Sequence, residues 1–293
     1  MSISGSTILA GVVGWPIEHS LSPRLHGFWL NQLGIDGDYR ALAVAPGDLG
    51  PEIRALAAKG YRGVNLTVPH KETGLAIADE VDPWAAAIGA VNTLVFDEGG
   101  RIHASNTDGF GFIENVRAGA PELDLRLGPT VVIGAGGAAR AVVAALLDAD
   151  ARAVRLINRT RSRADDLAQH LSSAFGGAYN GLIQVADWET RDQAISDATA
   201  LVNTTTLGMT GQPPLELSLD SLPRHATVND IVYTPLETPL LAAARARGNP
   251  TVDGIGMLLH QARPGFEAWF GGCPVVTPEL RAHVLAAMRA PQT

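Results

Sequence analysis

The 293-residue sequence predicts an α/β fold in two domains, with mainly parallel sheets covered by helices on both faces. Two observations carry that expectation. Short β-branched apolar runs alternate with helix-like stretches from Thr7 onward. After Pro121 the alternation restarts with residues 130–133, which run directly into Gly134-Ala135-Gly136-Gly137-Ala138.

Taken in order, residues 7–13 read as a buried strand. Ser22 and Pro23 open a helix, with serine as N-cap and proline at the first helical position, and Gly34 closes it. Residues 38–44 read as a second strand and 49–58 as a helix ended by Gly60. Residues 62–66 read as a third strand, followed by a helix beginning near Pro69. Residues 90–96 and 101–105 form a strand pair about a Gly99-Gly100 turn, and 108–116 a connecting helix. In the second series a helix over 138–147 follows the glycine loop, and 153–157 is the next strand. The final helices cover about 255–270 and 278–288, and Pro264-Gly265 should kink or break the first of them. The division is therefore 1–108, joined by the C-terminal helices from about 255 to 293, and 109–254, which has the pattern of a Rossmann-type dinucleotide-binding domain.

Composition narrows the function classes. A net charge of -8, from 22 basic and 30 acidic residues, argues against a non-specific nucleic-acid binder or a polybasic membrane-surface protein. Anionic ligands must then be held by local positive groups. The one cysteine, Cys273, forms no intrachain disulfide, which favours a reducing compartment. Residues 1–6 lack the basic start of a signal peptide, and no apolar run reaches the ~20 residues of a membrane span. A cytoplasmic location is expected. A homodimer stays open, because no motif specifies oligomeric state.

The glycine loop follows a strand and opens a helix, the context in which such a loop lets backbone approach a pyrophosphate at a helix N-terminus. A tight turn without ligand is the plainer alternative. The next strand decides the nucleotide. An NAD site places a carboxylate at its end, for the ribose hydroxyls. Here Asn158-Arg159-Thr160 stands there, with Arg161 and Arg163 behind it. Guanidinium suits a 2′-phosphate, so the expected cofactor is NADP.

A dehydrogenase also needs a proton donor beside the hydride-accepting carbon. Asn65-Leu-Thr67-Val-Pro69-His-Lys71 lies at the carboxyl end of a strand, where open α/β sheets bind ligands. Alone, Lys71 reads as a solvated surface charge and Asp108 as a helix cap. Asn92 and Asn106-Thr-Asp108-Gly at further strand ends point instead to a shared pocket. His19, His26 and His70 lack ligand spacing, so no metal is expected. His26, His70, His260 and Trp269 read as structural or surface residues.

These motifs, with Ser20-Leu-Ser22-Pro, Gly89-Ala-Val-Asn92-Thr, Asp230-Ile-Val-Tyr233-x-Pro235-x-x-Thr238-Pro-Leu and Asp253-Gly254-x-Gly256-Met-Leu-x-x-Gln261, strongly resemble those of shikimate dehydrogenases, in order and over almost the full chain. The resemblance implies reversible reduction of 3-dehydroshikimate by NADPH to shikimate, in aromatic amino-acid biosynthesis. It implies Lys71 as acid/base with Asp108 as its partner on the substrate, and Ser20 and Ser22 as holders of the substrate carboxylate. Asn65, Thr67, Asn92 and Gln261 would hold ring hydroxyls, with Tyr233 nearby. Gly134, Ala135, Gly136, Gly137, Ala138, Asn158, Arg159, Thr160, Arg163, Thr204, Ile231 and Gly254 would lie along the cofactor, with a cleft between the domains. One departure is Asn203-Thr204-Thr205-Thr206-Leu-Gly-Met, where Asn-Ala-Thr-Ser-x-Gly-Met is commoner. It puts a bulkier hydroxylated residue near the nicotinamide. Competing readings are a quinate-oxidising, NAD-using relative, a folate or amino-acid dehydrogenase of similar plan, and a non-catalytic ligand sensor. Arg159 weighs against the first, and the Lys71, Asp108 and Gln261 set against the others.

Overall fold

The structure, a computed structural model, describes residues Thr7–Arg289. The described chain divides into two compact units. One holds residues up to Thr107 together with those from Leu258 on, and the other spans Asp108–Met257.

The first unit contains β1 (Ile8–Gly14), α1 (Ser22–Leu33), β2 (Gly37–Ala43), α2 (Leu49–Ala58), β3 (Tyr61–Leu66), β4 (Glu80–Val81), α3 (Pro83–Ile88), β5 (Thr93–Phe96) and β6 (Ile102–Ser105). The sheet order is β2-β1-β3-β5-β6-β4. β1 runs parallel to β2 and β3, and β4 parallel to β6. The β5–β6 hairpin makes the β3–β5 and β5–β6 pairings antiparallel. Its turn contains Gly100 at φ 77, which glycine adopts without a Cβ penalty. On α1, Leu25, Trp29 and Leu30 form one buried stripe. Each full burial of this kind contributes about 1.5–3 kcal/mol.

The second unit comprises α4 (Asp108–Gly119), β7 (Thr130–Ile133), α5 (Gly137–Asp148), β8 (Val154–Ile157), α6 (Arg161–Ala174), β9 (Ile183–Ala186), α7 (Arg191–Ala194), β10 (Ala200–Asn203), β11 (Thr227–Asp230), α8 (Pro239–Arg247) and β12 (Thr251–Val252). Its six strands are all parallel in the order β12-β11-β10-β7-β8-β9, a doubly wound Rossmann sheet whose direction of winding reverses between β7 and β10. The chain closes with α9 (Ile255–Phe270) and α10 (Pro278–Arg289). α4 belongs to this unit from its first residue because it lies close on α5. A Cβ on Gly109 would stand 3.0 Å from the Ala145 methyl and 3.1 Å from the Ala141 carbonyl oxygen.

Three local expectations are corrected. Ser22 is the first helical residue rather than the N-cap. Its hydroxyl is hydrogen-bonded to Tyr39, and its own N–H donates to the Ser20 hydroxyl at 3.3 Å. No α-helix starts near Pro69; a turn leads into a 3-10 helix at Thr73–Ile77. The Lys71 carbonyl accepts from Val91 N–H at 2.8 Å and so is engaged outside any helical ladder. Gly74, packed under Leu66 and Val91, adds little helix propensity. Finally, α9 runs unbroken through Pro264. Ala262, Phe266 and Trp269 are buried, and the Trp269 indole donates to the Leu94 carbonyl at 3.0 Å, so packing holds the helix across the missing N–H.

Candidate active site

Register explains why distant residues meet in the first unit. β1 and β3 are parallel, so Gly14 and Leu66 end at the same edge of the sheet, and β5 and β6 reverse and return to that edge. Asn65 pairs with Thr93, and Thr93 with Ser105. The segments carrying Ser20 and Ser22, Thr67 and Lys71, Asn92, and Asn106 and Thr107 therefore leave one edge. Gly14 allows β1 and the turn after β3 to close up, because a Cβ there would lie 2.6 Å from the Thr67 methyl.

A buried hydrogen-bond network runs along this edge. The Tyr39 hydroxyl donates to Asn65 Oδ1 at 2.6 Å, and Asn65 Nδ2 donates to the Asn92 carbonyl at 3.0 Å and Thr93 Oγ1 at 3.1 Å. Thr93 Oγ1 donates to Asn92 Oδ1 at 3.0 Å. Asn92 Nδ2 donates to Thr107 Oγ1 at 3.0 Å and to Gln261 Oε1 at 3.2 Å, and Thr107 Oγ1 donates to the Gln261 carbonyl at 2.8 Å. Each amide thus has a defined orientation, with both Asn65 donors engaged and one Oδ1 lone pair left over.

Of the residues named from sequence for the substrate, Asn65, Asn92 and Gln261 share this network, and Ser22 joins it through Tyr39. Ser20 accepts from Ser22, Thr67 lies beside Gly14, and Lys71 is half-buried just past the turn. Asp108 is buried, follows Thr107 in the chain and heads α4. Tyr233 belongs to the second unit, where burial raises its phenol pKa.

Sequence reasoning missed Tyr39. Burial pushes its phenol well up, while the Ser22 hydrogen bond opposes that shift. Thr93 and Thr107 lay inside recognised motifs but had no role; Tyr39 sits in a strand between charged neighbours and had no local signal at all. His26 stacks on Tyr39 at 3.8 Å between ring centroids and 3° between planes, with Trp29 and Phe266 around it. Burial lowers its pKa to about 3, so it acts as a neutral aromatic wall. His70 is likewise structural, its Nε2 lying 2.8 Å from the Val44 carbonyl.

The second unit places the other set at the carboxyl ends of β7, β8, β10 and β11. Gly134 has φ 114, and a Cβ there would lie 2.6 Å from Thr204 Oγ1, so only glycine fits. Gly136, by contrast, would point a Cβ into open space, which leaves room for a ligand against the first turn of α5. That turn offers N–H groups without intrahelical acceptors and the positive end of the helix dipole. At the end of β8, Asn158 Nδ2 donates to the Thr160 carbonyl at 2.8 Å. Arg161 is tied to Asp187 at 2.6 Å, whereas Arg159 and Arg163 are exposed and carry no ion pair among the described residues. Two guanidinium groups are therefore available beside the glycine loop for a 2′-phosphate. Thr204, the departure from the commoner pattern, donates its hydroxyl to the Ile133 carbonyl at 2.7 Å, so the added polar group is satisfied internally. Gly254 closes on Ile231, where a Cβ would come within 2.3 Å of the Ile231 carbonyl oxygen.

Residues 12–94 match the shikimate dehydrogenase substrate binding domain, and residues 122–185 match the shikimate / quinate 5-dehydrogenase family. The NADP(+) shikimate dehydrogenase of Paramagnetospirillum magneticum is 57% identical over 97% of this chain and 100% of its own. The chain belongs to the shikimate dehydrogenase family. Among solved structures, the Thermus thermophilus shikimate 5-dehydrogenase in complex with NADP(H) and shikimate is 35% identical, with a TM-score of 0.82 over 97% of this chain and 99% of that one. Quinate dehydrogenase from Corynebacterium glutamicum, in complex with NAD, is 33% identical with a TM-score of 0.88 over 96% and 99%. That shikimate and quinate relatives share this fold so closely means that the backbone alone does not separate the two substrates.

Proposed function

We propose that this chain catalyses the reversible reduction of 3-dehydroshikimate to shikimate with NADPH, in the biosynthesis of aromatic amino acids. The decisive support is that the polar network Asn65–Asn92–Thr107–Gln261 lies at the strand-end edge of a chain 57% identical to an NADP(+) shikimate dehydrogenase. Several oriented amides and hydroxyls at one edge suit a ring bearing several hydroxyl groups.

The roles are those the family resemblance implies, and each suits the chemistry of its group. Ser20 donates a hydroxyl hydrogen bond to the substrate carboxylate, and Ser22 gives a second by turning its hydroxyl from Tyr39 to the ligand. Asn65, Thr67, Asn92 and Gln261 receive the ring hydroxyls. NADPH supplies the hydride that adds to the substrate carbonyl carbon. Lys71 gives a proton to the carbonyl oxygen as its bond order falls, and in the reverse direction takes it back. Asp108 holds the ammonium and the hydroxyl in line. Tyr233 would lie near the ring hydroxyls, Gly134 to Ala138 would receive the pyrophosphate, Asn158, Arg159, Thr160 and Arg163 the adenosine 2′-phosphate, and Thr204, Ile231 and Gly254 the nicotinamide half. Among the described residues no helix is long and apolar enough to cross a membrane. We place the enzyme in the cytoplasm, with homodimer formation to be tested by light scattering.

The test is NADPH absorbance with shikimate or quinate against NADP+ or NAD+, all four pairs. Fast turnover confined to shikimate with NADP+ is the expected result. Turnover as fast with quinate and NAD+ would move the chain to the broader specificity of its quinate-oxidising relatives. NADP+ binding without turnover would overturn the catalytic reading.

A further inference from the structure

Asp230 ends β11, is fully buried, and has no salt-bridge partner among the described residues. Burial raises its carboxyl pKa, and hydrogen bonds from Thr238, Val232 and Asn203 oppose that rise. A buried carboxylate without a counter-ion is costly, so its donors repay inspection. They come from three separate segments. Asn203 Nδ2, at the end of β10, and the Val232 N–H, just beyond β11, both donate to Oδ1 at 3.0 Å. The Thr238 hydroxyl, at the N-cap of α8, donates to Oδ2 at 2.7 Å.

Asn203 extends the reach of the carboxylate. Its Oδ1 accepts from Thr205 N–H at 3.0 Å and from the Thr205 hydroxyl at 2.7 Å, and its Nδ2 also donates to the Leu207 carbonyl at 3.1 Å. The loop after β10 is thereby folded around one side chain whose orientation Asp230 sets. The two loops are also joined directly, Thr210 N–H donating to the Thr234 carbonyl at 2.8 Å. Thr204 sits between these anchors with its hydroxyl on the Ile133 carbonyl, against Gly134. Ile231 follows Asp230 directly and supports Gly254.

We infer that Asp230 is the positioning residue of the cofactor site: one carboxylate aligns the loops carrying Thr204 and Ile231, and through Thr204 the start of the glycine loop. Fully buried, it acts through the residues it orients rather than at the protein surface. An apolar residue of similar size would leave three donors unanswered, and a side chain with a single polar atom could not reach all three segments. The inference rests on the proposed placement of NADP in the second unit.

The test measures dissociation constants for NADP+ and for shikimate on the folded, purified chain. Asp230→Ala is expected to weaken NADP+ by about 10- to 100-fold, the loss of hydrogen bonds to a charged group. Shikimate, whose holding residues apart from Asp108 and Tyr233 lie in the other unit, should shift by less than about 2-fold. Asp230→Asn keeps an acceptor for Asn203 and Val232 and an amide for Thr238 Oγ1, and should restore NADP+ binding to within about 3-fold. Should the alanine variant not fold, Thr238→Val removes one donor with nearly the same shape, and a loss of about 3- to 10-fold for NADP+ alone is expected. NADP+ affinity unchanged in the folded alanine variant, or in Thr238→Val, would overturn the inference. So would equal losses for both ligands, which mark general destabilisation. Failure of the unaltered chain to bind NADP+ would overturn the cofactor reading and, with it, this inference.

Discussion

Asp230 also makes a quantitative prediction about stability. Burial pushes its carboxyl to about 6, against an ordinary value of 3.8, and hydrogen bonds from Thr238, Val232 and Asn203 offset only part of that rise. A folded-state pKa above the unfolded one means that the folded chain holds the proton more tightly. The stability supplied by the protonated form is therefore fully present below pH 3.8 and is lost as pH rises through 6. At 1.36 kcal/mol per pH unit, ionised Asp230 costs the fold about 3 kcal/mol, most of which develops between pH 4 and pH 8. Other groups run the opposite way. Asp79, Asp97, Asp124, Asp197 and Glu279 are held below their ordinary range by hydrogen bonds, and His26 is held neutral by burial, so each loses stability on acidification. The total pH curve mixes these effects, but the difference between Asp230→Asn and the unaltered chain cancels them. Urea titrations at five pH values between 4 and 8 should show the variant gaining roughly 2–3 kcal/mol on the parent as pH rises. A difference that stays flat within about 0.5 kcal/mol would refute the assignment of a raised pKa to this carboxyl, and with it the claim that desolvation outweighs its hydrogen bonds.

The other predictions concern the two ligand sites. Lys71→Ala should lower kcat by about 10²–10⁴-fold in steady-state assays while NADP+ still binds; near-normal turnover would remove Lys71 from proton transfer. Arg159→Ala should weaken NADP+ by about 10-fold or more and NAD+ hardly at all, whereas Arg161→Ala, whose guanidinium is already paired with Asp187, should spare both. Equal effects of the two arginines in a titration would mean that the ion pair does not decide which of them reads the phosphate. Tyr39→Phe removes the donor to Asn65 Oδ1 and should raise KM for shikimate by about 5- to 30-fold with NADP+ affinity intact, as a lost buried hydrogen bond of about 1–2 kcal/mol requires. An unchanged KM would show that Asn65 holds its orientation without the phenol.

These residues also mark where the sequence was legible. The loop from Gly134 to Ala138 could be read because its demands are local: a β-branched strand before it, a helix after it, and glycines where a Cβ would collide. α2 and α9 had their spans read correctly for the same reason, since helix-forming stretches announce themselves over a dozen neighbouring residues. The errors fell where a distant partner decided the outcome. A helix near Pro69 is locally reasonable, but the Lys71 carbonyl is claimed by Val91, 20 residues on. Ser22 has the residue type of an N-cap, but Tyr39 takes its hydroxyl. Pro264 ought to interrupt a helix, but the packing around Trp269 holds it through. The same distinction runs through the candidate site. Lys71, Asp108 and Gln261 are proposed from motifs, whereas Tyr39 became visible only once parallel β1–β2 and β1–β3 pairings had set it beside Asn65. Tyr39 and Asn65 are 26 residues apart, and Asn92 and Gln261 169. Motif matching proposes groups that would meet the ligand, because ligand chemistry restricts their type. The groups that orient them answer only to register and burial, and so are read from the fold.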